Sequence, residues 1–150
     1  MMFLSIATAR AEAIGASTVW HGAAQADSLA GYFDGDETFV AAMNAVNALN
    51  REHRIMIEAP LLNMSKADII RKGVELGVDF TQTYTCYAGE ELADANSASS
   101  SLRLQGFIES KYIDPVVYKQ QDQLNQAYNK HKCVVIPGQH YADVILDGLK

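Results

Sequence analysis

The chain has 150 residues, 49% hydrophobic and 20% charged, which is one domain's worth of an ordinary globular protein with enough apolar material for a core. A formal net charge of −6 argues against nonspecific attraction to nucleic acid or to an anionic membrane surface. Two cysteines without a framework fit a reducing compartment, and no segment approaches the roughly 20 apolar residues that cross a bilayer.

Residues 2–14 are predicted to form an amphipathic helix on Met2, Phe3, Ile6, Ala7, Ala13 and Ile14, stopped by Gly15. Ala11-Glu12-Ala13 has the small-x-small form of a signal cleavage site, but no basic leader precedes it, so the helix is preferred. Ser17-Thr-Val-Trp-His-Gly22 reads as a short buried strand, with His21 a satisfied core or interface histidine. Asp36 or Thr38 caps the next helix, whose apolar face carries Phe39, Met43, Val46 and Leu49. Residues 54–60 form a second strand ended by Pro60. Ser65-Lys66-Ala-Asp68 has the helix-start form, and that helix carries Ile69, Ile70, Val74 and Leu76 up to Gly77. After a loop at 88–101, residues 99–110 are predicted to be helical and mildly broken at Gly106. Residues 120–132 are strongly polar and read as an exposed helix or a linker. Cys133-Val-Val-Ile136 reads as a strand, and Tyr141 to Leu146 is a further apolar segment.

Helix, strand, helix, strand, helix implies α/β layering around parallel strands. Two strands make only part of a sheet, because parallel sheets are normally buried on both faces. A partner chain or another copy is therefore expected to complete or cover the open edge.

Several segments carry a resemblance, in order along residues 1 to about 118. They are Met1-Met-Phe-Leu-Ser-Ile-Ala; Gly22, Asp27-Ser28, Gly31-Tyr32, Asp34, Glu37 and Phe39; Glu58-Ala-Pro-Leu61; Ser65-Lys66-Ala-Asp68-Ile69; Gly73 with Leu76-Gly77-Val78; and Cys86-Tyr87, Gly89, Ser99, Arg103 and Gly106-Phe107. Together they resemble the 7-cyano-7-deazaguanine synthase family, ATP pyrophosphatases with a Rossmann-like fold. The resemblance implies an α/β, partial Rossmann-like (adenine nucleotide α-hydrolase-like) parallel sheet with flanking helices, lacking the N-terminal half that carries the ATP loop. That loop reads Ser-Gly-Gly-x-Asp-Ser in the family, and no Gly-Gly pair occurs in this chain. Residues 1–118 are expected to form the truncated synthase-like domain, and 119–150 an extension that replaces missing packing or grips a partner.

The family's zinc segment reads Cys-Tyr-x-Gly, then Cys-x-x-Cys-x-x-Cys, then Arg-x-x-Gly-Phe. Here Cys86 keeps the first ligand position, while Asp94, Ser97 and Ser100 stand at the other three. Neutral hydroxyls are poor zinc ligands, and such a site is worth about 10–16 kcal/mol of apparent binding energy in small domains. Without it the loop from Ala88 to Ser101 is expected to be mobile unless something packs on it. By the same resemblance Asp27, Tyr32 and Asp34 match a substrate-binding segment, and Lys66 matches a lysine able to meet a nucleotide phosphate. Phe33, Gly35 and Asp36 replace the segment's proline, cysteine and arginine, which reverses the local charge. The bland readings are a turn-rich loop and a solvated lysine. Arg103 is expected to hold an anion or to pair with Asp94 or Glu90. Cys86 has no adjacent base, which argues against a nucleophile.

Two functions remain open. One is a non-catalytic, synthase-derived binding or structural subunit of a larger assembly such as a virion (a phage particle) or a defence complex, with no cofactor. The other is the C-terminal subunit of a split synthase that converts 7-carboxy-7-deazaguanine to the nitrile with ATP and ammonia, and with zinc. Either way a protein partner is expected, direct nucleic-acid or membrane contact is not, and the location is cytoplasmic or within an intracellularly assembled particle.

Overall fold

Several helices in this chain end where a residue can turn left-handed. The first helix, α1 (Met2–Ala13), closes before Gly15 at φ 72°. In a computed structural model describing residues 2–29, 31–50, 52–87, 89 and 91–149, the chain divides into two units, 1–65 and 66–150.

The first unit holds β1 (Thr18–Trp20), α2 (Gln25–Leu29), a 3₁₀ turn at Phe33–Gly35, α3 (Glu37–Asn47) and β2 (Met56–Glu58). The two strands pair in parallel, with Thr18, Val19 and Trp20 opposite Met56, Ile57 and Glu58. This is the expected α/β layering around a partial parallel sheet. Val19 and Ile57 face a core made with Leu4, Phe39, Val40 and Met43. Asp36 caps α3 by accepting Thr38 N–H at 2.7 Å.

The open face and the covered edge are both explicit. Trp20 and Met56 lie on the exposed side of the strands, Trp20 at 75% exposure, and Trp20 Nε1 donates to Glu58 Oε2 at 2.9 Å. The strand read as buried is thus half-covered. On the outer edge of β2, the Asn44 side chain donates to Ile57 C=O at 2.8 Å and accepts Ile57 N–H at 2.7 Å. Asn47 donates to Ile55 C=O at 3.1 Å. A helix therefore satisfies that edge with side-chain amides, which blunts it against further pairing. Among the described residues no strand pairs with the other edge of β1.

Two apolar stripes are corrected. In α1 the packed positions are Leu4 and Ala11, one heptad apart, while Met2, Phe3, Ile6 and Ile14 are exposed. In α3 Met43 is buried but Val46 is exposed, and Leu49 lies past the helix end. A helix with apolar residues on more than one side has no unique stripe, so periodicity alone could not choose its inner face.

The second unit contains α4 (Lys66–Glu75), a 3₁₀ turn at Phe80–Gln82, α5 (Ala98–Ser110), α6 (Gln121–His131) and α7 (Asp143–Leu146). α4 and α5 pack closely, with Ile70, Phe80, Phe107 and Ile136 in one cluster. Gly106 does not break α5. An added Cβ there would sit 2.6 Å from Lys66 Cγ and 3.0 Å from Ile70 Cδ1, so the glycine makes room for α4.

A second cluster gathers Leu104, Ile113, Tyr118, Tyr128, Tyr141 and Ile145 around a buried ion pair. Arg103 donates from Nε to Asp114 Oδ2 at 2.6 Å and from an Nη to Oδ1 at 2.8 Å. Asp114 is fully buried and also accepts Tyr118 O–H at 2.9 Å and Val116 N–H at 3.1 Å. Burial alone pulls the Arg103 pKa down, but the hydrogen bonds and charge of Asp114 outweigh it and leave the guanidinium above its ordinary value. Burial, then the Asp114 charge, pushes the Tyr118 phenol up, so it stays a donor.

The polar segment 120–132 is a helix rather than a linker, and exposed on one face only. Its inner face sets amides beside the fully buried Tyr128: Gln121 donates to Asn125 at 3.0 Å and Asn125 to Val144 C=O at 3.0 Å, while the exposed Asn129 donates to Gly148 C=O at 2.9 Å. Residues 133–136 are not a strand either. Only the single bridge between Tyr112 and Val134 forms, because Pro137-Gly138 turns the chain away.

Two stability predictions follow from these contacts. Gly106→Ala gains about 1 kcal/mol of helix propensity but overpacks Lys66 and Ile70 by about 1–3 kcal/mol. Urea unfolding should therefore show a net loss. Asp114→Asn should cost about 3–5 kcal/mol, because it leaves Arg103 buried without a counter-charge. The double replacement Arg103→Met with Asp114→Leu should cost less than Asp114→Asn alone, as measured by the same unfolding curves.

Candidate functional site

The residues singled out by sequence fall into one loop of the first unit and one helix-flanked segment of the second. Asp27 lies in α2, and Tyr32 and Asp34 in the turn between α2 and α3. Asp27 Oδ2 accepts Ala24 N–H at 2.8 Å, and Tyr32 N–H donates to Asp27 C=O at 3.0 Å. His21 Nε2 lies 2.9 Å from the Asp34 carbonyl, which makes the histidine a loop anchor. The Tyr32 ring is exposed, and Phe33 meets Phe39 edge-on at 5.5 Å. Gly35 is obligatory: a Cβ there would come 2.8 Å from both Asp27 Cβ and the Ser28 backbone nitrogen. Asp36, at the place of the family arginine, spends its carboxylate on the α3 cap.

Lys66 opens α4, with its stem against Gly106 of α5. The helix-start reading thus gains a packing reason: the aliphatic stem covers apolar surface while the head stays near solvent.

The four metal-ligand positions have separate fates. Cys86 is buried in the apolar cluster with Ala93 and Leu104, and neither cysteine is in a disulfide. Asp94 Oδ1 accepts Asn96 N–H at 2.9 Å and Gln120 Nε2 at 3.1 Å. The Asn96 bond, with help from Gln120 and Lys119, holds the Asp94 carboxyl below its ordinary pKa although burial opposes this. Ser97 caps α5: its Oγ accepts Ser100 N–H at 3.3 Å and donates to Ser100 Oγ at 2.8 Å. These groups do not fit a tetrahedral zinc. Two are neutral hydroxyls bonded to each other, and the one carboxylate is engaged by amides. Among the described residues no three His, Cys, Asp or Glu side chains converge as a metal cluster.

Of the two acids expected for Arg103, the described one, Asp94, does not take it. Asp114 takes the guanidinium, Asp94 turns to Asn96 and Gln120, and Glu90 lies outside the described residues, as does Ala88. The Phe107 ring lies 5.2 Å from the guanidinium, and Phe80 meets Phe107 edge-on at 5.4 Å. Two residues were missed in the sequence, Asp114 and Gln120. Asp114 had a signal: an acid inside the apolar run Tyr112-Ile-Asp-Pro-Val-Val117 demands a buried partner. Gln120 had none, being one of several glutamines in a polar stretch. Among the described residues no helix is long and apolar enough to cross a membrane.

Comparison with known proteins gives these segments their context. The family model described as queuosine biosynthesis protein QueC matches residues 1–111. A 7-cyano-7-deazaguanine synthase of Clostridium kluyveri is 39% identical over 125 residues, covering 79% of this chain and 55% of the relative. The synthase of Thermoplasma volcanium is 41% identical over 121 residues, covering 78% and 50%. That of Chlorobium phaeobacteroides is 42% identical over 120 residues, covering 79% and 53%. The chain spans about half the length of the curated relatives it matches. By the extent of the family match, the chain belongs to the family of the queuosine biosynthesis protein QueC.

Proposed function

We propose that the chain acts as a non-catalytic binding or structural subunit built on the second half of a 7-cyano-7-deazaguanine synthase fold. The observation that carries this reading is how the polar groups at the substrate-like and metal-like positions are used. Asp27, Asp36, Asp94 and Ser97 each hold their own loop or helix start by accepting a nearby backbone N–H. A binding group committed to its own backbone loses that bond when it turns to a ligand, at about 0.5–1.5 kcal/mol per bond. Replacing an arginine by Asp36 further disfavours an anionic ligand at that loop.

The one-sided sheet supports the subunit part of the reading. Met56 N–H donates to Ser17 C=O at 2.9 Å and His21 N–H to Glu58 C=O at 2.7 Å, so Ser17, Val19 and His21 carry the ladder to β2. The peptide groups of Thr18 and Trp20 alternate with these and face the opposite edge. Because Asn44 and Asn47 close the β2 side, a further strand fits only beside β1. A parallel strand from a polypeptide carrying the other half of the fold suits it, since the relatives are about twice as long as the matched region.

A second reading is favoured by the identity of about 40% to proteins named as 7-cyano-7-deazaguanine synthases. In it the chain is the C-terminal part of a working synthase that acts on 7-carboxy-7-deazaguanine with ATP and ammonia.

Two experiments decide. The complex isolated under native conditions, incubated with ATP, ammonia and 7-carboxy-7-deazaguanine, should form no nitrile by mass spectrometry. Turnover would overturn the non-catalytic reading in favour of the second. Thr18→Pro, which removes an outward N–H without touching the β1–β2 ladder, should reduce the complex to the isolated chain by light scattering. An unchanged mass would rule out strand addition at β1.

A further inference from the structure

The segment that holds zinc in the resembling family is itself well tied down here, although its groups do not fit the metal. We infer that the C-terminal segment has taken over the fastening, so that hydrogen bonds from residues 117–121 hold residues 93–101 where a metal would otherwise do so. The inference stands whether or not the chain is catalytic.

The ties are specific. Ala93 N–H donates to Val117 C=O at 3.3 Å, and Lys119 N–H donates to Ala93 C=O at 3.0 Å, which forms a one-rung parallel bridge between Ala93 and Tyr118. The next contact is a side chain. Gln120 Oε1 accepts Ala95 N–H at 3.0 Å, and its Nε2 donates to Asp94 Oδ1 at 3.1 Å. One amide thus meets two successive residues of the segment, one by its donor and one by its acceptor.

The far end of the segment is fastened by serines. Ser97 caps α5, Ser101 Oγ donates to Ala95 C=O at 2.9 Å, and Ser99 Oγ donates to Thr85 C=O at 3.1 Å. That last bond ties the helix start back to the strand of chain leading into Cys86. The extension is secured in turn, since Tyr118 O–H binds Asp114 and Tyr118 N–H donates to Gln121 Oε1 at 3.1 Å.

The chemistry separates this arrangement from a metal site. A zinc centre requires deprotonated ligands and disappears with a chelator, whereas amide–carboxylate and hydroxyl–carbonyl bonds are indifferent to one. Ser97 and Ser100 suit the second arrangement because a short hydroxyl is among the best N-cap groups. Asp94 suits it because a carboxylate accepts N–H donors from Asn96 and Gln120 together.

The test uses the full chain expressed in zinc-supplemented medium. Metal analysis should find far less than one zinc per chain, and EDTA should leave the thermal midpoint unchanged. Stoichiometric zinc, or a midpoint lowered by EDTA, would overturn the inference. Hydrogen exchange over residues 91–101 then tests the fastening itself. Gln120→Ala should accelerate it about tenfold, the effect of losing bonds worth about 1.4 kcal/mol, while Gln123→Ala on the exposed face should not. Should Gln120→Ala fail to fold, Gln120→Glu keeps the acceptor for Ala95 but sets a carboxylate against Asp94, and should accelerate the same segment. Unchanged exchange in a folded Gln120 variant would refute the role of the extension.

Discussion

The second unit is organised around a charge that cannot reach water. Asp114 is fully buried and survives there only because four donors converge on its two oxygens: two from Arg103, one from Tyr118 and one from the backbone of Val116. Those donors come from α5, from the turn after it and from the start of the C-terminal segment. Satisfying one carboxylate therefore fixes three pieces of chain at once. The Phe107 ring beside the guanidinium and the Phe80 ring against Phe107 carry the same constraint into the apolar cluster shared with α4. An arginine expected to hold an anion or a nearby acid of the loop is here a structural anchor.

The first unit solves a different problem. Two short parallel strands have one face against α1 and α3 and one face open, and their two edges are treated unequally. Asn44 imitates a neighbouring strand at Ile57 by donating and accepting at the same residue. Such mimicry ends a sheet without a charged or proline-bearing edge. The asymmetry leaves β2 as the strand capped by side-chain amides, and Trp20 and Met56 are exposed on the face away from the core.

Much of this was legible in the sequence wherever a residue has only one physical use. Gly15 and Gly77 marked helix ends because they take a positive φ, and Asp36 marked a helix start because its carboxylate suits the first turn. The inner faces of α1 and α3 were not fully legible, because eight of twelve residues in α1 and seven of eleven in α3 are apolar and burial among them is decided by a distant neighbour. The C-terminal segment was misread for the opposite reason. Polarity normally signals solvent, but Gln121, Asn125 and Asn129 recur at four-residue spacing and point their amides at backbone carbonyls and at one another. Gly106 suggested a broken helix, when its missing side chain serves the approach of Lys66. Each misreading involved a contact between segments far apart in sequence, which no local pattern encodes.

The amide face of α6 has a consequence for how the chain reaches its final state. A helix that docks through Gln121 and Asn125 as well as through Tyr128 presents less continuous apolar surface when undocked than an all-aliphatic one, which weakens its tendency to stick to other unfolded chains. Tyr128 joins that helix to the core around Asp114, and the amides of Gln121 and Asn125 beside it fix how it docks. Asn125 and Asn129 meet their acceptors only where Val144 and Gly148 are in place, so these bonds reward the native docking of the helix over any other.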